Sequence, residues 1–434
     1  MYTLKITIAA ALGGLLFGYD TSVISGAILF LRQQFRLSSV ETELAVSIVL
    51  AGAVVGAAVA GYFGDRFGRK PVLIADAILF AVFSALTGAA HGLGLFLFAR
   101  FMVGLAVGVT SMITPLYIAE VAPPKVRGAL VTLNQLAIIT GIVVAYGADY
   151  FFAPSANWRA MFISAVVPAA ILLAALIFLP ESPRWMAAQG HFDDAFALLS
   201  RLESPEEAHR HIEELREVTL ADQLKFRDLF GLRFRKAALV GIGLAVFQQL
   251  TGINTIIYYT PTILLMAGFK NASAAILATV LMGGINLAAT IVSLLLLDKV
   301  GRRPLLLFGI AGMGVSLAHL GYAFNATQIS HATILLDVMG YLACFSIGLG
   351  PVFWLLISEI YPTTIRAEAM SAASVTIWIC DLLVTITFLS LVERFGARYT
   401  FWFYGAMCIA ALFFCLQIVP ETKGRTLEEI EASW

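Results

Sequence analysis

This chain contains the segment Gln248-Gln249-Leu250-Thr251-Gly252-Ile253-Asn254-Thr255-Ile256-Ile257-Tyr258-Tyr259-Thr260-Pro261, set within an apolar stretch that runs from about residue 237 to residue 267. A stretch of that length can cross a bilayer, which needs about 20 apolar residues. Amides and hydroxyls are costly to place in hydrocarbon unless they find partners. We therefore expect this segment to face a cavity inside a membrane protein and not the lipid.

The polar groups of this segment are neutral, which indicates the kind of ligand that they suit. Amides both donate and accept hydrogen bonds, and the segment carries no charge and no metal-ligand set. A neutral ligand rich in hydroxyls fits these groups. The alternative is that the amides only join neighbouring helices, but four polar side chains on one interrupted span favour a binding surface.

The composition is that of an integral membrane protein. Of the 434 residues, 60% are hydrophobic and 13% are charged, whereas a soluble domain has about 25% charged residues. This length leaves room for about twelve membrane-spanning helices. The net charge of zero argues against a nucleic-acid partner. No polar constellation resembles a nucleophile, a base or a metal site, so we do not expect an enzyme, a bound metal or an organic cofactor.

Hydropathy predicts spans at residues 4–31, 41–63, 71–90, 93–119, 127–151, 157–179, 237–267, 273–297, 304–324, 331–359, 368–391 and 399–419. If the odd-numbered loops are outside, six basic residues lie outside or at that edge: Arg32, Arg36, Arg159, Lys270, Arg394 and Arg398. Arg100 lies within a span, and the other 21 of the 28 lysines and arginines lie inside. This bias predicts a multi-pass protein of the cell membrane with both termini in the cytoplasm.

The chain has two halves whose motifs repeat. The segment Gly64-Asp65-Arg66-Phe67-Gly68-Arg69-Lys70 recurs as Leu297-Asp298-Lys299-Val300-Gly301-Arg302-Arg303, Glu120 and Arg127 recur as Glu359 and Arg366, and Pro180-Glu181-Ser182 recurs as Pro420-Glu421-Thr422. Similar offsets for three motif pairs predict an all-α fold of two pseudo-symmetric six-helix bundles, residues 1–180 and 237–434, with the substrate site between them at mid-depth. Residues 181–236 are predicted to form a cytoplasmic helical linker, with helices near 191–201 and 205–218.

The repeated charges are expected at the inner face, where the loops join adjacent helices. A carboxylate at a helix end can pair with the following arginines and with the N-terminal amides of a neighbouring helix. Charge that only sets the topology would explain the arginines but not the repeated aspartate. We predict a conformational latch formed by Asp65, Arg69, Glu120, Arg127, Glu181, Arg184, Asp298, Arg302, Glu359 and Arg366.

Several motifs in order along the chain resemble those of the sugar porters of the major facilitator superfamily, which include bacterial sugar:proton symporters and facilitative glucose transporters. The matching segments are Gly13-Gly14-Leu15-Leu16-Phe17-Gly18-Tyr19-Asp20, the loop at Asp65, Pro115-Leu116-Tyr117-Ile118-Ala119-Glu120, Pro180-Glu181-Ser182-Pro183-Arg184, the segment from Gln248 to Pro261, the segment from Asp298 to Arg303, Gly350-Pro351-Val352-Phe353-Trp354 and Pro420-Glu421-Thr422-Lys423-Gly424. They cover nearly the whole chain.

The resemblance implies a monosaccharide site on helices five, seven, eight, ten and eleven. It assigns amide contacts to Gln135, Gln248, Gln249, Asn254 and Asn286, and aromatic contacts to Tyr258, Trp354, Trp378 and, on the opposite wall, Phe17. An indole face suits the apolar C–H face of a pyranose ring. Three positions depart from the family pattern. Ile377 and Asp381 replace two amides on helix eleven, and Ile142 replaces a glutamine found in some relatives. Asp381 is expected either to accept hydrogen bonds from sugar hydroxyls or to titrate itself.

Proton coupling is assigned to Asp20 and Arg100, which are single charges in apolar helices. An unpaired charge at the centre of a membrane helix costs at least ~2.5–3.5 kcal/mol, so we expect the two to pair. The resemblance agrees, because proton-coupled relatives carry an aspartate at the position of Asp20 and facilitators carry an asparagine. The alternative is a structural ion pair.

The sequence thus predicts a secondary active transporter that imports a monosaccharide with a proton as the coupling ion, by alternating access and as a monomer. The alternative within transport is an uncoupled sugar or polyol uniporter. A sugar sensor of this fold is the alternative from another class, but only 14 residues follow Pro420, whereas such sensors tend to carry long tails. Drug or proton antiport would fit the fold alone.

Overall fold

The computed structural model describes residues 2–123, 127–220, 231, 234–325, 331–361 and 366–423. The described part is built from helices, and twelve of its helical segments are long and apolar enough to cross a membrane. These twelve segments coincide with the twelve spans predicted from hydropathy, with ends that differ by a few residues. The prediction of an all-α protein with twelve membrane-spanning segments is confirmed.

The first half of the chain contains α1 (Tyr2–Phe35), α2 (Ser39–Phe67), α3 (Arg69–Gly88), α4 (Leu93–Val121), α5 (Arg127–Phe152), α6 (Trp158–Ile163) and α7 (Val166–Ile177), with a 3-10 turn at Ala153–Ser155. Three shorter helices follow: α8 (Pro183–Ala188), α9 (Phe192–Leu202) and α10 (Pro205–Leu220). The second half contains α11 (Arg235–Leu250), α12 (Ile253–Met266), α13 (Ala272–Val300), α14 (Arg302–Ala323), α15 (His331–Ile347), α16 (Leu349–Ile360), α17 (Arg366–Phe395) and α18 (Ala397–Gln417).

The backbone contacts divide the chain into two compact units. The first unit comprises Met1–Thr21, Gly52–Ile142 and Phe162–Gln223. The second comprises Ser22–Ala51, Val143–Met161 and Leu224–Trp434. Both units have interiors of apolar side chains, since an apolar protein face in a membrane still packs best against complementary side chains.

The seventh span is broken at Gly252, between α11 and α12. Gly252 has φ +89°, in the left-handed region that favours glycine. The carbonyl groups left free at the break find partners: the Tyr341 hydroxyl donates to the Thr251 carbonyl at 2.9 Å, and the Thr255 hydroxyl donates to the Gly252 carbonyl at 2.6 Å. A broken membrane helix is tolerated where neighbouring side chains satisfy its backbone in this way.

The segment between the halves forms a small helical cluster of its own. Its core consists of Ala187, Ala195, Leu199, Ala208 and Ile212, contributed by α8, α9 and α10. The start of α10 is a capping box, in which Ser204 and Glu207 bond reciprocally: the Glu207 N–H donates to the Ser204 hydroxyl oxygen at 3.3 Å and that hydroxyl donates to the Glu207 carboxylate at 2.9 Å. The predicted pieces at 191–201 and 205–218 are therefore helical.

Glu181 caps the N-terminus of α3 in the first half. Its carboxylate accepts the backbone N–H of Arg69 at 3.0 Å and that of Lys70 at 3.1 Å. An anion at a helix N-terminus is stabilised both by these free donors and by the helix dipole. Burial raises the pKa of Glu181, although hydrogen bonds from the N–H groups of Ser182, Lys70 and Arg69 favour the ionised form.

A second carboxylate completes this arrangement, which we call the first clamp. The Arg69 guanidinium donates to both oxygens of Glu120, each at 2.9 Å, and to the Gly64 carbonyl at 2.9 Å. The Ser182 hydroxyl donates to Glu120 at 2.5 Å and caps α8 by accepting the Trp185 N–H. Bidentate arginine–carboxylate pairs are stronger and more specific in geometry than single contacts.

The second half repeats the same arrangement as a second clamp. Glu421 accepts the N–H groups of Arg302 and Arg303, each at 3.1 Å, at the start of α14. The Arg302 guanidinium donates to Glu359 at 2.9 and 3.3 Å, and the Thr422 hydroxyl donates to Glu359 at 2.5 Å. The internal repeat seen in the sequence is thus a repeat of hydrogen-bonded geometry.

Each clamp requires a glycine immediately before its arginine. Gly68 has φ +95° and ψ 161°, and Gly301 has φ +108° and ψ 164°, a backbone region that is essentially restricted to glycine. A Cβ atom at Gly68 would also overlap the Glu181 carboxylate.

We expect Gly68→Ala to lower the free energy of unfolding by about 1–3 kcal/mol because of this backbone strain. Gly61→Ala, in the interior of α2 where a Cβ atom would meet nothing within 4 Å, is the matched control and should raise stability by up to about 1 kcal/mol. Thermal unfolding of the purified variants in one detergent measures both. Equal stability of the two variants would contradict the clamp as a stabilising element.

Candidate functional site

The amides of the broken span are buried and bonded to one another. Gln248 and Gln249 are both buried at the end of α11. The Gln248 amide donates to the Leu349 carbonyl at 3.4 Å, and the Asn254 amide donates to the Gln249 carbonyl oxygen at 3.0 Å. The break at Gly252 turns Asn254, in the first turn of α12, back towards Gln249.

Asp381 extends this group of polar side chains to α17. It is only 1% exposed, and its two carboxylate oxygens accept the Tyr258 hydroxyl and the Thr385 hydroxyl, each at 3.0 Å. The Asn254 side chain lies within hydrogen-bonding reach of the same carboxylate. We call Gln249, Asn254, Tyr258, Asp381 and Thr385 the amide–acid network. Its members come from α11, α12 and α17.

Asn286 is held separately, on α13. Its side-chain oxygen accepts the Ser346 hydroxyl of α15 at 2.6 Å, and the residue is 6% exposed. Trp378 is buried one turn before Asp381 on α17, and Trp354 is partly buried on α16, with its ring edge-to-face with Phe353. The predicted residues of the second half are therefore placed on five neighbouring helical elements of one unit.

Phe17 and Gln135 lie in the first unit, on two helices in close contact. At Gly18 and Gly141 the backbones of α1 and α5 approach so closely that a Cβ atom would overlap the Ile138 and Leu15 carbonyls respectively. Phe17 precedes Gly18, Gln135 lies one turn before Ile138, and both side chains are partly buried. Glycine contacts of this kind allow helices to pack closely in a membrane.

Asp20 and Arg100 form a buried ion pair in the first unit, as predicted. One guanidinium nitrogen of Arg100 donates to Asp20 Oδ1 at 2.5 Å, and the two side chains are 2% and 0% exposed. The Phe162 ring covers the guanidinium at 5.2 Å from its centroid, which is within the range of a cation–π contact. Among the described residues, Asp20 Oδ2 and Arg100 Nε have no hydrogen-bond partner. The pair is thus almost completely buried.

The remaining predicted latch residues differ in their surroundings. Asp65 is mostly exposed and pairs with Arg69 at 3.0 Å, whereas Arg184 is exposed and belongs to none of the ion pairs found among the described residues. The side chains of Arg127, Asp298 and Arg366 lie outside the described part of the structure. Ile142 and Ile377, which replace family amides, are both buried and apolar.

Several polar contacts were not predicted. Thr385 and Ser346 supply hydroxyl donors to Asp381 and Asn286. Tyr146, on α5, donates its hydroxyl to the Ile257 carbonyl of α12 at 2.9 Å and its ring lies against Gly283. Hydroxyl residues are common in membrane helices and their spacing carries no signal, so sequence reasoning had no means of selecting these three.

The chemistry of the amide–acid network is that of hydrogen bonding without covalent reaction. It presents amide donors and acceptors, two hydroxyls and one carboxylate, beside a buried indole. Within the described residues, no three His, Cys, Asp or Glu side chains are grouped closely enough to hold a metal ion. Such a set can bind several hydroxyl groups at once and release them again, since each hydrogen bond contributes only about 0.5–1.5 kcal/mol.

Comparison with known proteins extends over the whole chain. A family profile described as "Sugar (and other) transporter" matches residues 6–434. The chain is 39% identical to a D-xylose transporter of Levilactobacillus brevis, over 98% of this chain and 94% of that protein. It is also 39% identical to the galactose-proton symporter of Escherichia coli strain K12, over 99% of this chain and 94% of that protein.

The fold is similar to that of a solved transporter. The inward-open structure of the xylose transporter XylE from E. coli superposes with a TM-score of 0.85 at 35% sequence identity, over the full length of both chains. Identity of this degree over full length indicates shared ancestry and a shared fold.

We expect Arg100→Gln to destabilise the protein by about 3–5 kcal/mol, because it leaves Asp20 buried without its counter-charge. Adding Asp20→Asn should restore much of that loss, since two neutral amides can bond in place of the ion pair. Arg66→Gln, at an exposed arginine, should change stability by less than about 0.5 kcal/mol. Unfolding measurements on the four proteins test this, and equal losses in the single and double variants would show that the pair is not coupled.

Proposed function

Because the chain belongs to the sugar porter family of the major facilitator superfamily, we propose that it imports a monosaccharide together with a proton by alternating access. The observation that carries the coupling to protons is the Asp20–Arg100 pair, which is fully buried between two apolar helices, with Asp20 midway along α1. A carboxylate in such a place can be neutralised either by its arginine or by a proton, and a change in its surroundings selects between them.

The sugar is held, in this proposal, by the amide–acid network and the neighbouring aromatic side chains. Supporting it are the burial of Gln248 and Gln249, the bond between Gln249 and Asn254, and the position of Trp378 one turn from Asp381. Amides and hydroxyls bind a sugar hydroxyl as donor and acceptor at once, and an indole covers its C–H face. Gln135, Phe17, Asn286 and Trp354 complete the proposed site.

Sugar and proton sites are linked along α1. Phe17 lies three residues before Asp20, hence one helical turn away on the same side of α1. The Thr21 hydroxyl donates to the Phe17 carbonyl at 2.9 Å, which ties this turn together. A sugar that displaces Phe17 would therefore shift the backbone that carries Asp20. This short path supports coupling between the two ligands.

The two clamps are proposed to act as the conformational latch at the inner face, with Arg127, Asp298 and Arg366 joining them. Their support is that each clamp pairs a helix N-terminus and an arginine, buried in the first clamp and partly buried in the second, with side chains at the ends of spans. We further propose that residues 1–180 and 237–434 act as two bundles joined by residues 181–236. In this arrangement both termini lie in the cytoplasm, and the chain works as a monomer.

A second candidate function is uncoupled sugar or polyol transport. It is favoured by the direct 2.5 Å contact of Asp20 with Arg100, because a carboxylate held ionised by its arginine needs no proton. The two candidates differ in whether sugar movement carries charge and proton with it.

Proton coupling is tested with purified protein in liposomes. Addition of a transported monosaccharide should alkalinise the outside, and a proton gradient should drive its accumulation. Asp20→Asn should lower uphill accumulation while sparing sugar exchange, because the neutral amide keeps the hydrogen bond to Arg100 but takes up no proton at this position. Accumulation that is unchanged in Asp20→Asn would show that Asp20 does not couple transport to protons, whereas a wild-type protein that only equilibrates the sugar would leave the uniporter.

The sugar site is tested by substitution of one amide. Asn254→Ala should weaken monosaccharide binding about tenfold, since it removes a hydrogen-bonding group worth about 1.4 kcal/mol. Gln417→Ala, at an exposed amide near the end of α18, is the matched control and should leave the dissociation constant unchanged. A panel of pentoses, hexoses and polyols measured by thermal shift identifies the sugar. If Asn254→Ala and Gln417→Ala bind the monosaccharide with equal affinity, Asn254 is not part of the sugar site.

A further inference from the structure

The buried charges of the second unit are all acidic. Among the described residues, its buried charged side chains are Glu43, Asp149 and Asp381, whereas the two buried basic side chains, Arg69 and Arg100, lie in the first unit. An ionised group in an apolar interior is costly unless it is paired or well bonded. Each of these three carboxylates therefore needs some other way of being stabilised.

Two of the three accept a backbone N–H group from a neighbouring helix. Both oxygens of Glu43, in the second turn of α2, accept from Ser390: one from its backbone N–H and one from its hydroxyl, each at 2.6 Å. Asp149, in the last turn of α5, accepts the Gly26 N–H at 2.9 Å. These contacts join helices and leave no place for a ligand.

Asp381 differs from both in depth and in surroundings. It lies midway along the 30-residue helix α17, where a charge is furthest from water on either side. Its partners are neutral side chains of the amide–acid network and no backbone N–H group. No arginine, lysine or histidine forms an ion pair with it among the described residues. The carboxylate is thus uncompensated.

The titratable groups around Asp381 add no positive charge. On the elements packed against α17 they are Tyr258 and Tyr259 of α12, Tyr404 and Cys408 of α18, Glu43 of α2, and Cys380 and Glu393 of α17 itself. The facing side chains of α11 are the amides Gln248 and Gln249, and those of α16 nearest the network are apolar or aromatic. Since none of these described residues is cationic, we expect that a proton bound from the medium neutralises Asp381.

We propose that Asp381 is a second proton-binding group, loaded together with the sugar in the second half of the chain. The inference rests on the proposed sugar site, because a sugar that bonds to Tyr258 and Asn254 withdraws two of the donors that stabilise the ionised carboxylate. A proton from the medium then adds to one carboxylate oxygen, and it returns to the medium when the sugar leaves. No other bond forms or breaks. The family amide at this position could not do this.

The direction in which sugar affinity changes with pH follows from the linkage between sugar binding and proton binding. If the sugar-bound state holds one more proton at Asp381, sugar affinity is highest at low pH and falls as the pH rises, by at most about tenfold per pH unit for one proton. The dependence levels off once the site stays ionised with and without sugar. In the wild-type protein Asp20 also takes up a proton. The contributions of Asp20 and Asp381 to sugar-linked proton uptake therefore have to be measured separately.

The experiment is calorimetric titration of the full chain in lipid nanodiscs with D-galactose and D-xylose, in buffers of different ionisation enthalpy. Asp20→Asn should still take up protons when sugar binds and should keep a pH-dependent affinity. Asp20→Asn with Asp381→Asn should lose both, and should bind sugar with an affinity that is independent of pH. Asp149→Asn in the Asp20→Asn background is the control with an equally buried carboxylate, and should retain the proton uptake.

A second measurement detects protonation of Asp381 without sugar, so it also applies to variants that bind sugar too weakly for calorimetry. Infrared difference spectra between acidic and alkaline buffer should show the carbonyl band of a protonated buried carboxyl, and Asp381→Asn should remove one such band. If Asp20→Asn alone abolishes sugar-linked proton uptake, or if Asp381→Asn leaves both proton uptake and spectra unchanged, the proposal is wrong while sugar import stands. If neither sugar binds to any variant while the infrared band of Asp381 is present, Asp381 takes up a proton without sugar. That result would overturn the proposed link between sugar binding and proton binding.

Discussion

The capping of two helix N-termini by Glu181 and Glu421 is the constraint on which the rest of the structure depends. Each glutamate accepts two backbone N–H groups of a helix that begins directly after a glycine in a backbone region closed to other residues. The same helix start presents an arginine to a glutamate, which is the buried Glu120 in the first clamp and the partly buried Glu359 in the second. One carboxylate thus fixes a loop, a helix end and an ion pair at once.

The membrane spans, the broken seventh span and the repeated loops could be predicted from the sequence, because each leaves a clear sequence pattern. A membrane-spanning helix needs a long apolar stretch, and a break in such a helix needs polar residues, as after Gln249. The loops that begin at Asp65 and Asp298 share the spacing of aspartate, glycine and arginine that a capped helix start requires. The pairing of Asp20 with Arg100 followed from the cost of a lone charge in a membrane. What could not be predicted is which neutral donors meet which acceptors. Thr385, Ser346 and Tyr146 look like any other hydroxyl residue, and only the packing of distant helices selects them.

Two aspartates at mid-helix show how environment decides the behaviour of one chemical group. Asp20 meets a guanidinium and an aromatic ring, so its charge is balanced within the protein. Asp381 meets a phenol, an alcohol and an amide, so its charge has to be balanced from outside. An asparagine would fill the same volume at either position. An aspartate in place of an asparagine at position 381 therefore changes the charge of the site more than its shape.

The composition of the clamps also bears on how the protein is made. Arg69 and Glu120 belong to the first half and Ser182 to the segment directly after it, whereas Arg302, Glu359 and Thr422 all belong to the second half. Synthesis proceeds from the N-terminus, so every partner of the first clamp exists before α11 has been translated. The first half can therefore close its ion pair during translation and shield its charges from lipid early. The second half has to wait for Glu421 and Thr422, which follow its last helix, so the N-terminus of α14 has no Glu421 cap in the meantime.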